Sequence, residues 1–198
     1  MDELPELLLP NAEAWRAWLA ANHLTSSGVR LVLHKKGGTV TALDYADALD
    51  VALCFGWIDG VIGKRDAGSH VRRFTARTRS SKWSKINTGH HERLVSEGRM
   101  QPAGKAAADA AKADGRWEAA YAGQSTAEVP DDLATAIGAN PQAQAMFEVL
   151  TAVNRYALIH RVTSVKTPAV RAAKVAGFVQ KLQAGQTPYP QKRKPQER

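Results

Sequence analysis

Four prolines, Pro102, Pro130, Pro141 and Pro168, each precede or open a run with helical periodicity, and from residue 102 to residue 185 the chain reads as helical throughout. Proline is at home in a first helical turn, where its missing N–H has no partner to lose, and it breaks a helix interior. The punctuation therefore predicts several separate helices here, with Gly115, Gly138 and Gly185 as terminators. Residues 102–114 are rich in alanine, a strong helix former, and Trp117 and Tyr121 at i, i+4 are expected to clamp the turns that follow. Any sheet must come from the first hundred residues.

That first half alternates between the two periodicities. Asn11 is a candidate N-cap, and Trp15, Trp18 and Leu19 repeat at three and four residues, predicting a helix over 12–22. Val29–Lys35 is β-branched and apolar, as a strand would be, and Gly37-Gly38 breaks it. Thr41 and Asp44 resemble a capping box for a helix of about 42–54, with Leu43, Ala46, Leu49 and Leu53 on one face and Cys54 at its end. Residues 55–60, Phe-Gly-Trp-Ile-Asp-Gly, read as a glycine-flanked junction, followed by a hairpin of strands near 61–65 and 70–77. Ser84 or Asn87 is placed to cap a helix of about 85–97, closed by Gly98. The expected fold class is α+β, a small antiparallel sheet with helices followed by a helical C-terminal half. One co-folded domain over 1–185 and a disordered, basic, proline-rich tail over 186–198 are the expected organisation.

The 27 Lys and Arg against 19 Asp and Glu give a net charge of +8, but the excess is not spread evenly. Residues 1–63 carry −4, 64–99 carry +7, 100–185 carry +2 and 186–198 carry +3. Such concentration predicts a local surface that attracts anions. Single Cys54 leaves no internal disulfide to form, no apolar run approaches a bilayer span, and the acidic start does not resemble an export signal, so a cytoplasmic location without membrane insertion is expected.

Three groups of residues could carry chemistry. Trp57 and Asp59 sit in the glycine-flanked junction, where an aromatic face and a carboxylate can line a pocket rim, or where Trp57 can simply be core. The basic run includes Lys64, Arg65, Arg72, Arg73, Arg77, Arg79, Lys82 and Lys85, with Phe74 and Trp83 interleaved. Arginine holds phosphate or carboxylate through paired hydrogen bonds and an aromatic face can stack a base, a mixture suited to a nucleotide or nucleic acid. Strand alternation puts Arg72 and Arg73 on opposite faces, so at most half of these charges can converge. Ser84 and Asn87, at a helix start after Lys82 and Trp83, offer caps or an anion-receptive terminus. The sharpest expectation is that Arg73, Lys82, Ser84 and Asn87 cradle a phosphate or sulfate near Trp57, with Tyr156 on an opposite wall.

Other chemistry is weakly supported. His90 and His91 diverge on a helix and cannot share a metal, the remaining histidines lack partners at ligand spacing, and Cys54 reads as a small buried hydrophobe. Asp47 and Asp50 are explained by a solvated helix surface. No cofactor, metal or catalytic set is expected.

The order Phe55–Gly60, Arg73-Phe-Thr75, Trp83–Asn87, Gly98–Gly104, Asp114–Trp117, Asn154-Arg-Tyr156, then a last helix with Arg171 and Phe178, resembles the YdeI or OmpD-associated, bacteriocin-protection family from about Trp15 to residue 182. The resemblance implies a stress-resistance or antimicrobial-peptide-resistance protein and brings no catalytic mechanism. The leading expectation is a cytoplasmic binding protein for a small anionic ligand. A nucleic-acid-binding or regulatory protein, and an enzyme acting on a small phosphorylated or acidic substrate, are the alternatives.

Overall fold

The computed structural model describes residues 4–124 and 126–195, and the chain divides into two compact units, Met1–Ala120 and Tyr121–Arg198. The first unit runs β1 (Glu6–Leu7), α1 (Ala12–Asn22), β2 (Val29–His34), α2 (Tyr45–Cys54), β3 (Trp57–Lys64), β4 (Ser69–Ala76), α3 (Lys85–Ser96) and α4 (Pro102–Ala113). The second unit holds α5 (Asp131–Gly138), α6 (Pro141–Glu148), α7 (Ala152–Thr163) and α8 (Pro168–Gln183). The class is α+β, as expected.

The sheet order is β1-β2-β4-β3. Strand β4 pairs antiparallel with both β2 and β3, but β1 runs parallel to β2, so the sheet is mixed rather than purely antiparallel. Two residues are too few to show a period, which is why β1 has no sequence signal. A register shift between Asp59 and Ile62 interrupts β3 at Gly60. Strand β3 also starts earlier than the hairpin pattern implies. Gly56, at φ +72°, ends α2 in one left-handed step, and Trp57-Ile-Asp59 are already strand.

Caps fix the helix starts. Asn11 Oδ1 accepts from Ala14 N–H, Asp44 from Asp47 N–H and Ser84 from Asn87 N–H. Thr41 is not the cap of α2; its hydroxyl donates to Leu9 O, and the helix begins at Tyr45. Pro102, Pro141 and Pro168 occupy the first turns of α4, α6 and α8, and Pro130 is the N-cap residue of α5. Helix α7 has no proline and is capped by Thr151. Trp117 and Tyr121 do not share a helix: residues 114–119 form turns after α4.

One face of the sheet, carrying Val29, Leu31, Leu33 and Phe74, is buried with Trp15 and Leu19 of α1 and Leu53 of α2. Trp15 stacks on Trp18 at 5.4 Å between ring centroids, meets Trp57 and Phe74 edge-on at 6.2 and 5.7 Å, and donates its indole N–H to Ala48 O. These four rings form one aromatic cluster within the core of the first unit. The second unit has its own core, built on Leu133, Ile137, Met146, Leu158, Val162, Phe178 and Leu182.

Composition suggests disorder beyond Gly185. In the structure, Asn154 donates to Tyr189 O and accepts from Tyr189 N–H, while Gln191 Nε2 donates to Val149 O. Asn154 is buried, so these bonds satisfy a side chain that would otherwise be costly to bury. Residues 196–198 of the tail lie outside the described residues.

Candidate functional site

Residues 77–84 connect β4 to α3 and, with the first turn of α3, contain Lys82, Trp83, Ser84 and Asn87, half of the residues expected to form the ligand site. Arg77 lays its guanidinium 3.6 Å from the centre of the Trp83 ring, and its Nη1 donates to Lys82 O at 3.1 Å. Ser81 turns back on Thr78, accepting from its N–H at 2.9 Å. Arg116 Nη1 donates to Ser81 O at 3.0 Å, and its Nη2 pairs with Asp114 at 2.8 Å. The Arg116 guanidinium holds the Asp114 carboxyl below the usual carboxylate range. Two arginines thus grip the loop through its carbonyls. Trp83 is buried against Trp117, with ring centroids 4.8 Å apart, and Ser84 closes the junction as the cap of α3.

Lys82, Trp83, Ser84 and Asn87 therefore belong to one loop-to-helix junction, but with roles that differ from the expected cradle. Trp83 is core, Ser84 is spent on the cap, and Asn87 contributes its backbone N–H to it. Arg73 pairs in register with Arg30 on the sheet face opposite Phe74. Trp57 lies on the buried face, its indole N–H donating to His23 O at 3.2 Å. A sheet separates Arg73 from Trp57, so the two cannot hold one anion between them. Asp59 is engaged by Arg72 Nη1 at 2.6 Å and by the Tyr45 hydroxyl at 3.1 Å. Burial, reinforced by the Asp59 charge, pushes the Tyr45 phenol up to about 12. Tyr156 belongs to the second unit, where its hydroxyl donates to Ala122 O. Burial raises that phenol as well.

The basic run sorts itself by partner. Arg65 is taken by Glu6 and Asp66, Arg72 by Asp59, and Arg77 stacks on Trp83. Lys64, Arg73, Lys82 and Lys85 are exposed, and their side chains make no hydrogen bond or ion pair among the described residues. Arg79 is exposed and lowers the Asp114 carboxyl from a distance.

Two clusters in the same unit were not legible in the pattern. Asp50, expected on a solvated helix face, is 8% exposed. Both of its oxygens accept from Arg93 Nη2, at 2.7 and 2.6 Å, and His90 Nδ1 lies 2.9 Å from Oδ1. Burial opposes ionisation of this carboxyl, but the hydrogen bonds from Arg93 and His90 outweigh it and hold the pKa low. The spacing Asp50 to Arg93 spans two helices, so periodicity within either could not show it.

His91 is 4% exposed, its ring 6.0 Å from Trp83 and 5.2 Å from Trp117, and neither ring nitrogen has a hydrogen-bond partner among the described residues. Burial and the nearby Lys112 charge lower its pKa below the ordinary histidine value. An unfolded chain protonates His91 near its ordinary pKa of about 6.5, while the folded one resists. Stability should therefore fall as pH drops below about 6.5 toward the lower folded value. His91→Leu is expected to lose less stability than the parent chain between about pH 7.5 and 5.5, as read from urea melts at both ends. Equal losses would mean that His91 does not carry this dependence.

Residues 7–107, just over half of the chain, match a domain of unknown function (DUF8412). Residues 126–185 match the family described as bacteriocin-protection, YdeI or OmpD-associated. Each match falls within one compact unit. The resemblance read from about Trp15 onward thus rests on Asn154-Arg-Tyr156 and the last helix, whereas the motifs between Phe55 and Gly104 lie in the first match. Neither the curated proteins nor the solved structures give a match to the chain. The second unit therefore carries a domain that matches the bacteriocin-protection, YdeI or OmpD-associated family model, and the chain belongs to the DUF8412 family, whose model covers just over half of it.

Proposed function

We propose that this is a cytoplasmic protein of the bacteriocin-protection type whose first unit binds a small, phosphate-like anion at the junction of β4 and α3. The observation that carries the reading is the division of labour within the +7 segment. Arg77 of that segment, with Arg116 from beyond it, holds the loop, while exposed Arg79 and Lys82 are left on it and exposed Lys85 opens α3 beside them. A loop already pinned loses little backbone entropy on meeting an anion, so only the side-chain freedom of its cations opposes binding. The aromatic residues of the run, Phe74 and Trp83, are buried and offer no face on which a base could stack, which favours a small anion over single-stranded nucleic acid.

The test uses pyrophosphate as probe in calorimetry, with a short DNA duplex alongside, at about 0.02 and 0.2 M salt. Pyrophosphate should bind at low salt, weaken at high salt, and lose at least about tenfold in affinity when Arg79, Lys82 and Lys85 are all changed to Gln. A triple variant that binds like the parent sinks the assignment. So does a silent titration, and preference for the duplex would transfer the surface to nucleic acid.

A further inference from the structure

A cavity of about 170 Å³ opens in the second unit between α7, α8 and residues 186–188. Its floor is Leu158, Phe178 and Leu182, all buried, and its rim carries Arg161 and Lys181, both exposed. Neither cation makes an ion pair among the described residues; Arg161 only approaches the Tyr189 ring, at 5.7 Å. The wall formed by Thr187 and Pro188 is fixed from behind. Gln186 N–H donates to Lys181 O at 2.8 Å, Thr187 hydroxyl to Tyr189 O at 2.7 Å, and Asn154 clamps Tyr189 through two bonds.

Size and chemistry together select a ligand class. A dry apolar cavity of about 150 Å³ holds a benzene-sized molecule. This one has comparable room but is partly open, with Gln186 and Thr187 beside the two cations, so it accepts a ring or a short alkyl chain that also carries a polar group. Two cations at the mouth favour a negative group on that body and disfavour a positive one, since a charge-assisted contact is roughly twice as strong as a neutral one. We propose that this cavity binds a small aryl or short-chain alkyl carboxylate, its hydrocarbon against Leu158, Phe178 and Leu182 and its carboxylate between Arg161 and Lys181. The site lies wholly in the second unit, so it stands or falls independently of the loop after β4.

Benzoate, benzyl alcohol and benzylamine, which share a ring and differ in charge, are the probes, followed by amide NMR and calorimetry on the full chain. Benzoate should bind saturably, with shifts at residues 158–161 and 178–188, at least about tenfold tighter than benzyl alcohol, and benzylamine weakest. Arg161→Gln with Lys181→Gln, both at exposed positions, should remove that tenfold preference while leaving benzyl alcohol unchanged. Three results overturn the proposal: no saturable shift with benzoate up to about 20 mM, equal affinity for benzoate and benzyl alcohol, or a charge preference that survives the double variant.

Discussion

Replacing Gly104 with alanine is expected to lower stability by about 3 kcal/mol, although alanine favours a helix interior over glycine by about 1 kcal/mol. The reason is the closeness of α4 to the end of α2. A Cβ at position 104 would lie 2.3 Å from Cys54 O, 2.6 Å from Leu53 O and 2.5 Å from Met100 Sδ. A methionine side chain can move aside. The two carbonyls cannot, because they end α2 and Cys54 O already accepts from Gln101 N–H at 3.1 Å. Gly56 meets the same seam from the other side, with Ala103 O 2.8 Å from where its Cβ would be. The matched control is Gly89→Ala in α3, where no atom lies within 4 Å of the added carbon. There the helix propensity acts alone, and a gain of about 0.5–1 kcal/mol is expected. Urea melts of both variants decide the matter. If Gly104→Ala behaves like Gly89→Ala, α4 does not approach α2 as described.

The seam also marks the boundary of what a single sequence can reveal. Prolines and caps located the starts of α1, α3, α4, α6 and α8 to within a few residues, because first-turn chemistry is local and leaves its donors next to the residues they satisfy. Gly104, by contrast, looks like a weak point in an alanine-rich helix until the carbonyls of α2 are in view. The same distinction runs through the basic segment. Alternation along β4 correctly separated Arg72 from Arg73, but which arginine is spent on a carboxylate, a ring or a carbonyl depends on partners as distant as Arg116 to Ser81. Asp50 shows it most plainly, a helix residue with surface-like spacing made buried and ionised by Arg93, 43 positions away. Local periodicity reports a residue's own element, and the fate of a charge is set by the element packed across from it.

Trp83→Ala is expected to be the costliest single change in the loop, at about 4 kcal/mol, since a fully buried indole leaves a cavity that its neighbours cannot fill. The indole is 2% exposed and touches Trp117 on one side and Arg77 on the other. Trp83→Phe should cost roughly 1–2 kcal/mol, keeping an aromatic face under Arg77 at a smaller volume. The contribution of the stack itself is separable by a cycle with Arg77→Ala. A guanidinium 3.6 Å above a ring that is largely removed from water should give a coupling of about 1–2 kcal/mol. Arg77 also donates to Lys82 O, so the same cycle reads how far the ring stiffens the segment that carries Arg79 and Lys82. If the coupling is absent and Trp83→Ala costs under about 1 kcal/mol, the loop does not depend on its aromatic floor. The preorganisation argued for those cations then fails with it. If both values are found, the arginine nearest the tryptophan is a structural group, and an anion must be sought at the exposed cations that follow it.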